Sequence, residues 1–371
     1  MSALPGIASI AAMALYAAFF LHAESQAQVL GLVALGVVGV GVPVLARVGW
    51  IARTATSLEA HPLAARSASV AALAATIALF HDQHFVMLML ASVALYSVAC
   101  LGLTLQFGYA GVVNFAGAAF LGVGGYTSAV LGPHVPHALV LLIGGLLAAL
   151  VGSILILPIL RTRGHYAALI TVAFGILFRT FVEVNDALGG PQGLQVKGMN
   201  LFGWELNSPL RNLSFYANYV FVGLALAAAA FVLVRRLERS WVGLSLDAVR
   251  LDETAAAVFG IDVARWKILA FTCGNFFAGI AGAAYAMMTG FVAPNSFTFG
   301  DSLILVSIVL LGGLGSAWGV PLAAGIVLIV PEKLQALQEY RFLLYAMLVI
   351  VILLARPQGL IARPARQYFP K

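Results

Sequence analysis

Long apolar runs, separated by short polar connections, constrain this chain more than any other feature of its sequence. A bilayer has a hydrocarbon core about 30 Å thick, and one spanning helix needs about 20 mostly apolar residues to cross it. Hydrophobic residues make up 62% of the chain and charged residues only 9%, whereas soluble domains carry about 25% charged residues. A soluble core could not bury this much apolar surface, so the sequence predicts an integral membrane protein.

The runs are continuously apolar and rich in Ala, Leu and Gly, whereas barrel strands alternate in segments of about ten residues. We therefore expect an all-α, polytopic transmembrane bundle. The predicted spans are 5–22, 28–46, 67–80, 86–105, 112–131, 138–160, 165–182, 216–234 and 266–288, and shorter runs lie near 301–313, 319–330 and 342–355. The short runs cannot cross upright, so we expect about 10–12 membrane segments, including broken or re-entrant helices.

The distribution of Lys and Arg predicts the orientation, because loops that stay in the cytoplasm carry the positive excess. With the N-terminus inside, the outer loops hold only Lys197, Arg211, Lys333 and Arg341, and Arg179 lies within a span. The remaining basic residues fall inside: Arg47, Arg53, Arg66, Arg161, Arg163, Arg235, Arg236, Arg239, Arg250, Arg265, Lys267, Arg356, Arg363, Arg366 and Lys371. Both termini are thus predicted to be cytoplasmic. The net charge of +6 is then a topology signal, and no nucleic-acid partner is needed to explain it.

No Lys or Arg precedes Arg47, whereas a cleaved signal peptide would have a basic start, so we expect the first segment to be a retained anchor. Cys100 and Cys273 both lie in apolar spans. They are predicted to act as small hydrophobic residues, and we expect neither a disulfide nor a metal site.

The largest polar segment that this topology places in the cytoplasm covers residues 235–267. Within it, Asp247, Asp252 and Glu253 precede three alanines, and Gly260 interrupts the pattern before Ile261. This order predicts a short helix that ends at a Gly C-cap and forms a compact, mixed-charge knob. Such a knob suits docking into another protein, and a solvated loop helix without a partner is the alternative reading.

The stretch DETAAAVFGIDVARWK, residues 252–267, resembles the Glu-Ala-Ala coupling motif of ABC importer permeases. In that family the motif forms a helix that sits in a groove of the ATP-binding subunit. The resemblance implies that these residues dock the ATPase: Asp252, Glu253, Ala255, Ala256, Gly260, Ile261 and Asp262.

Three further stretches narrow the family. Residues 103–131 (LTLQFGYAGVVNFAGAAFLGVGGYTSAVL) and 290–328 are similar to high-affinity branched-chain amino acid permeases, and residues 339–361 (EYRFLLYAMLVIVILLARPQGLI) resemble the longer, M-type subunit. The resemblance covers residues 86–362 and implies a permease core there, with the coupling segment 235–267. It leaves residues 1–85 as an N-terminal transmembrane extension and 363–371 as a cytoplasmic tail.

The resemblance implies an importer in the bacterial inner membrane, built from two related permeases, two cytoplasmic ATP-binding subunits and a periplasmic binding protein. Leucine, isoleucine and valine are the implied substrates, and urea, short amides or aromatic acids are the alternative, since close relatives carry them. The chain lacks the GxxxxGK loop followed by Ser or Thr that cradles ATP phosphates. We therefore expect no enzyme activity and no cofactor here, with ATP and magnesium bound by the partner subunits.

An ion-coupled secondary transporter is the alternative from another class. Such transporters place titratable groups near the membrane midplane. The apolar spans hold Arg179, Glu183 near an outer end and Asp301 at a segment start, so a relay of acidic groups is missing and ATP is favoured. Arg179 is read either as a structural ion pair with Glu183, four residues further along the helix, or as a residue of the translocation path.

The buried amides are the other candidates for the path, because an unpaired amide in lipid is costly and must face protein or water. The predicted pathway residues are Gln106, Asn114, Thr171 and Asn275, together with Arg179 and Glu183. The glycines of 108–125 and 312–319 are read as sites of close helix packing or as pathway backbone. The outer segments 185–213 and 290–297 are read as a docking surface for the binding protein or as ordinary connections.

Overall fold

The computed structural model describes residues 4–23, 25–36, 62–162, 166–208 and 214–334, together with isolated positions between 340 and 363. The second half of the predicted run 28–46 and most of the run 342–355 lie outside these described residues. Within the described part, helices dominate and strands are limited to four two-residue pieces.

The helices follow the apolar runs closely. They are α1 (Leu4–His22), α2 (Gln26–Gly36), α3 (Pro62–Leu79), α4 (His84–Thr104), α5 (Gly117–Leu131), α6 (His137–Leu160), α7 (Tyr166–Val184), α8 (Phe215–Arg239), α9 (Trp241–Leu251), α10 (Glu253–Val258), α11 (Val263–Thr289), α12 (Phe299–Gly312) and α13 (Gly319–Lys333). The strands are β1 (Leu194–Gln195), β2 (Asn200–Leu201), β3 (Trp204–Glu205) and β4 (Phe291–Val292).

Six helical segments of the described chain are long and apolar enough to cross a membrane. They contain α4, α6, α7, α8, α11 and α12, and shorter apolar helices accompany them. The all-α, polytopic membrane fold predicted from the sequence is therefore confirmed. Cys100 in α4 and Cys273 in α11 are both free thiols.

Helix α11 lies at the centre of the bundle and packs against α4, α5 and α6. Small residues allow the backbones to approach closely, as in other membrane bundles. A Cβ at Gly124 would collide with the Gly279 carbonyl, and a Cβ at Gly282 would collide with the Leu121 carbonyl. Close packing is thus the structural role of these glycines.

The helical path breaks at two places inside the bundle, as the sequence led us to expect. After α4 the chain makes one π-helical turn, Leu105–Tyr109, then runs without helix until α5 begins at Gly117. The prediction that one helix covers 112–131 is wrong at its start, because residues 112–116, although mostly apolar, are not helical. A second break separates α12 from α13, and a Cβ at Gly108 in the first break would meet the Gly315 backbone in the second.

The bundle has two chemically different ends. One end, which we call the basic end, carries the end of α6, the end of α8, all of α9 and α10, and the start of α11. It gathers these basic residues: Arg161, Arg235, Arg236, Arg239, Arg250, Arg265, Lys267 and Arg363. The rings of Trp241 and Trp266 pack edge to face there, with centroids 5.4 Å apart.

The opposite end, which we call the loop end, carries the short strands. β1 pairs with β4 and β2 pairs with β3, both antiparallel. Lys333 also lies there, and its Nζ donates to the Leu21 carbonyl at 2.6 Å, which ties α1 to the core. The separation of charge matches the distribution that the sequence predicts. Which end faces the cytoplasm remains a prediction from the positive-inside rule.

The glycine contacts give a matched pair of substitutions. Gly282→Ala places a methyl group against the Leu121 backbone, whereas a Cβ at Gly175 in α7 has nothing within 4 Å. Overpacking typically costs about 1–3 kcal/mol, so we expect Gly282→Ala to lower the melting temperature of the detergent-purified protein clearly. Gly175→Ala should leave it unchanged or raise it, because alanine is the better helix former. Equal melting temperatures for the two variants would contradict this packing.

Candidate functional site

Three buried amides from two parts of the chain form one hydrogen-bonded network at the first helix break. Asn114 Nδ2 donates to Gln106 Oε1 at 2.8 Å and to Asn275 Oδ1 at 3.2 Å. Gln106 Nε2 donates to Asn275 Oδ1 at 3.0 Å and to the Phe271 carbonyl at 3.1 Å. All three amide side chains are almost completely buried. The network therefore joins the non-helical stretch to the central helix α11.

Side chains also supply partners for the backbone N–H groups that the break leaves without helical partners. Asn114 Oδ1 accepts from the Ala116 N–H at 2.9 Å, and Thr171 Oγ1 accepts from the Phe115 N–H at 3.0 Å. Ser302 Oγ accepts from the Ala118 N–H at 3.1 Å, inside the first turn of α5. Unsatisfied backbone groups cost several kcal/mol in a membrane. These side chains are what allow the chain to leave the helix there.

The structure brings four of the six predicted pathway residues together. Gln106, Asn114 and Asn275 touch directly, and Thr171 joins them through the Phe115 N–H. Asn275 Nδ2 has no partner among the described residues, and it faces Gly152 of α6. In this conformation the network is closed to solvent, so it holds the break in place and does not line an open channel.

The other two predicted residues lie elsewhere, on α7 near the loop end. Arg179 Nε is 3.9 Å from Glu183 Oε2, and Arg179 Nη2 donates to Asn295 Oδ1 at 3.2 Å. Both charged side chains are partly exposed, and α7 is the least buried of the long helices. An open groove of about 610 Å³ follows the same helix, lined by Leu177, Thr180, Phe181, Val184, Asn185, Asp186 and Ala187. Arg179 thus forms the ion pair that the spacing predicts, away from the amide network.

The predicted short helix of the polar segment is present as α10. Asp252 is its N-cap, because Asp252 Oδ1 accepts from the Thr254 and Ala255 N–H groups at 2.8 and 3.0 Å. Gly260 ends it with a left-handed φ of +79°, and the Ile261 N–H donates to the Ala256 carbonyl at 3.0 Å. Asp262 then caps α11 by accepting from the Arg265 N–H at 3.1 Å. Local capping residues therefore define this knob on both sides.

Most of the residues that the motif suggests are exposed on or beside α10, and two further apolar side chains project next to them. Ala256 is buried, and Glu253 is held by Lys267 Nζ at 2.6 Å, so these two residues brace the knob against α11. The side chains that project are Val258 and Phe259, which are 80% and 84% exposed. The sequence analysis missed them, although two apolar residues between Asp252 and Asp262 are an available signal. Two adjacent, strongly exposed apolar side chains outside the spans form a candidate contact surface for a partner.

A cluster of buried charges beneath α9 was also missed. Arg363 makes a bidentate ion pair with Asp247, at 2.7 and 2.8 Å, and lies 3.5 Å from Glu238. Glu238 in turn accepts from Arg235 Nη1 at 2.6 Å. The Arg363 guanidinium also lies 4.2 Å from the centroid of the Tyr109 ring. The sequence gives no local signal for these contacts, because Arg363 and Asp247 are 116 positions apart.

The family model and the similar proteins that match this chain all describe branched-chain amino acid transport permeases. The family described as "Branched-chain amino acid transport system / permease component" matches residues 85–353. The high-affinity branched-chain amino acid transport system permease protein LivM of Escherichia coli K12 is 34% identical over 287 residues, which cover 72% of this chain and 68% of that protein. No solved structure matches the chain.

More distant relatives extend the comparison. The probable branched-chain amino acid transport permease protein LivM of Methanocaldococcus jannaschii is 24% identical over 319 residues, covering 72% of this chain and 90% of that protein. The LivH permease protein of the high-affinity system of Salmonella typhimurium is 22% identical over 290 residues, covering 72% of this chain and 92% of that protein. Identity is thus higher to the M-type proteins than to the H-type protein.

The contact between Thr171 and the break gives a matched pair within α7. Thr171→Val keeps the shape of the side chain and leaves the buried Phe115 N–H without a partner, which typically costs about 1–3 kcal/mol. Thr180 lies exposed on the same helix. We expect Thr171→Val to lower both the melting temperature and transport, and Thr180→Val to change neither. The account of the break is contradicted if both variants behave alike.

Proposed function

The chain belongs to the branched-chain amino acid transport permease family, and on that premise we propose that it is the membrane-spanning subunit of an ATP-driven importer. It is a permease in a multi-pass membrane fold. The proposed direction is inward across the bacterial inner membrane, after delivery by a periplasmic binding protein. The substrates would be leucine, isoleucine and valine.

The short helix α10 is the observation that carries the proposal. It is capped by Asp252, ended by Gly260 and braced by the ion pair between Glu253 and Lys267. Its tip presents Val258 and Phe259 at the basic end, beyond the membrane spans. A rigid apolar tip of this kind fits a cleft in a second protein. We assign that cleft to a cytoplasmic ATP-binding subunit, which would bind ATP and magnesium.

A pair of permeases is the proposed membrane unit. The family contains both M-type and H-type proteins, and this chain resembles the two to different degrees. The second permease would pack on this chain, and substrate would pass along their shared interface. Transport would proceed by alternating access: closure of the ATPase pair moves the coupling helices, and the two permeases then open toward the outer side of the membrane.

The loop end supports the proposed docking of the binding protein. The antiparallel pairing of Leu194 with Val292 joins the two outer segments that the sequence indicates to be either a docking surface or ordinary connections. Phe202 is fully exposed on the tight connection between β2 and β3. The two segments therefore form one surface, which suits contact with a partner on this side.

The pathway assignment stays a proposal for Gln106, Asn114, Thr171, Asn275, Arg179 and Glu183. The first four are buried in this conformation, so they would meet substrate only when the break opens in another state. A path of small and apolar groups suits branched aliphatic side chains, and it would also accept other neutral ligands such as urea, short amides or aromatic acids. Competition of leucine uptake by isoleucine and valine, without competition by urea, tests the substrate assignment.

The ion-coupled alternative finds less support in the described spans. Asp301 sits at the start of α12 and forms a capping box with Thr298, where Thr298 N donates to Asp301 Oδ2 at 2.9 Å. It is therefore used as a helix cap. Glu183 lies near the loop end beside Arg179, away from the amide network. Neither carboxylate stands where a proton or sodium relay through the described core would need it.

Two exposed phenylalanines on opposite ends test the docking proposal. Phe259→Ser removes the apolar tip of α10, so we expect the ATP-binding subunit to copurify at least about tenfold more weakly, a loss of about 1.4 kcal/mol. Phe202→Ser at the loop end should leave that copurification unchanged. Normal ATPase binding by the Phe259→Ser variant would remove the docking assignment.

A further inference from the structure

We propose that Arg363 is the positioning residue that links the coupling helix to both helix breaks, so that movement of α10 reaches the translocation path through contacts that this side chain holds together. The inference rests on the proposed ATP-driven function and extends it to a residue that no motif marks. It is carried by the contacts of α9, the helix between the membrane span α8 and the coupling helix α10.

Helix α9 and the coupling helix move together if either one moves. Only Asp252 separates them, and the Asp252 N–H donates to the Ala248 carbonyl at 3.2 Å within the last turn of α9. Asp252 also caps the next helix. A displacement of α10 by an ATP-binding subunit is therefore transmitted to α9 over a single residue.

Arg363 connects α9 to both breaks at once. Its guanidinium makes two hydrogen bonds with Asp247 of α9, and it stacks over the Tyr109 ring, which ends the π-helical turn of the first break. On the other side, a Cβ at Gly315 in the second break would lie 2.9 Å from Arg363 Cδ. One side chain thus contacts α9, the first break and the second break.

The backbone around Arg363 is fixed to the second break as well. The Leu360 N–H donates to the Leu311 carbonyl at 2.8 Å, and the Ile361 N–H donates to the Gly312 carbonyl at 3.2 Å. These bonds use carbonyl groups at the end of α12 that the helix itself leaves open. The segment carrying Arg363 therefore moves with α12, while its guanidinium moves with α9.

The chemistry of the cluster suits a permanent link. The Arg363 side chain is only 10% exposed and faces two carboxylates, Asp247 and Glu238. Burial alone would lower the pKa of the guanidinium, but the bonds to Asp247, with the nearby charges, hold that pKa above its usual value. The guanidinium of Arg363 therefore stays charged throughout the physiological pH range. A bidentate guanidinium also fixes orientation, which a lysine cannot do.

A second contact of α9 with the first break agrees with this role. A Cβ at Gly111 would lie 3.3 Å from Cγ of Arg250, which is in the last turn of α9. Gly111 has a left-handed φ of +68°. Two positions in the second half of α9 therefore bear on the first break, Asp247 through Arg363 and Arg250 directly. The amide network holds the same break on its other side.

The test compares ATP hydrolysed per leucine imported in the assembled transporter, with leucine-loaded binding protein present. Arg363→Gln and Asp247→Asn should each raise this ratio by at least about fivefold, the lower end of usual coupling effects. Arg239→Gln is the matched control, since Arg239 is exposed at the same end. The Arg239→Gln variant should keep the wild-type ratio of ATP to leucine. Basal ATPase activity per assembled complex should equal the wild-type value in all variants.

The double variant Asp247→Asn with Arg363→Gln separates positioning from simple stability. Each single change removes one charge of this buried pair and keeps the other, whereas the double change removes both, and such paired replacements are often neutral for stability. A positioning role predicts that the double variant assembles normally and remains uncoupled, no worse than either single variant. Wild-type coupling in the double variant would overturn the inference.

If Arg363→Gln fails to assemble, Arg363→Lys takes its place, because it keeps the charge and loses the two-pronged contact. The expected result is again a higher ratio of ATP to leucine, and a wild-type ratio overturns the inference. The proposed function fails separately if the wild-type complex shows no ATP-dependent import. If the wild type imports with ATP and the Arg363 variants remain coupled, only the role of Arg363 falls.

Discussion

Every backbone polar group at membrane depth needs a hydrogen-bond partner, and the rest of this structure depends on how the chain meets that need where its helices break. Between α4 and α5 the helical ladder stops inside an apolar bundle, so side chains must replace it. Three side chains, those of Asn114, Thr171 and Ser302, do so by accepting from the N–H groups of Ala116, Phe115 and Ala118 respectively. Gln106 and Asn275 then satisfy the Asn114 amide. The break is therefore a specified feature with its own buried polar support.

The second break and the basic end complete the same arrangement. Close approach of Gly108 and Gly315 brings the two breaks together, and the cluster of Arg363, Asp247 and Glu238 lies directly beneath them. Helix α10, the proposed coupling helix, projects from the same end. The two helix breaks thus lie next to the buried ionic cluster, and the cluster lies next to the helices that carry the exposed apolar tip of α10. A motion at the tip has a continuous set of contacts through which to reach the membrane core.

Local signals in the sequence are enough to predict the apolar helices and the short helix α10. The predicted span 138–160 corresponds to helix α6, His137–Leu160. A continuous apolar run of that length is too hydrophobic for a soluble protein, so a membrane-spanning helix is its expected structure. The knob was predicted because Asp252 and Gly260 cap it locally. The predicted start of α5 is wrong, since four of the five residues 112–116 are apolar and composition alone cannot show a break.

Contacts between distant parts of the chain explain what sequence reasoning missed. Asn114 and Asn275 were singled out as costly buried amides, but their meeting is set by helix packing across 161 positions. Arg363 was placed in a cytoplasmic tail, and its contact with Asp247 across 116 positions has no periodic or motif signature. Val258 and Phe259 were overlooked because the family motif draws attention to its alanines, and exposure is visible only in three dimensions.

The source of energy is the most direct test of the central claim, that this chain is a permease driven through its basic end by an ATPase. The measurement is leucine uptake into proteoliposomes containing both permeases and the ATP-binding subunits, with binding protein outside and ATP enclosed. We predict uptake with ATP and none with a proton or sodium gradient alone. Uptake driven by an ion gradient, by permeases without ATP-binding subunits, would contradict the account.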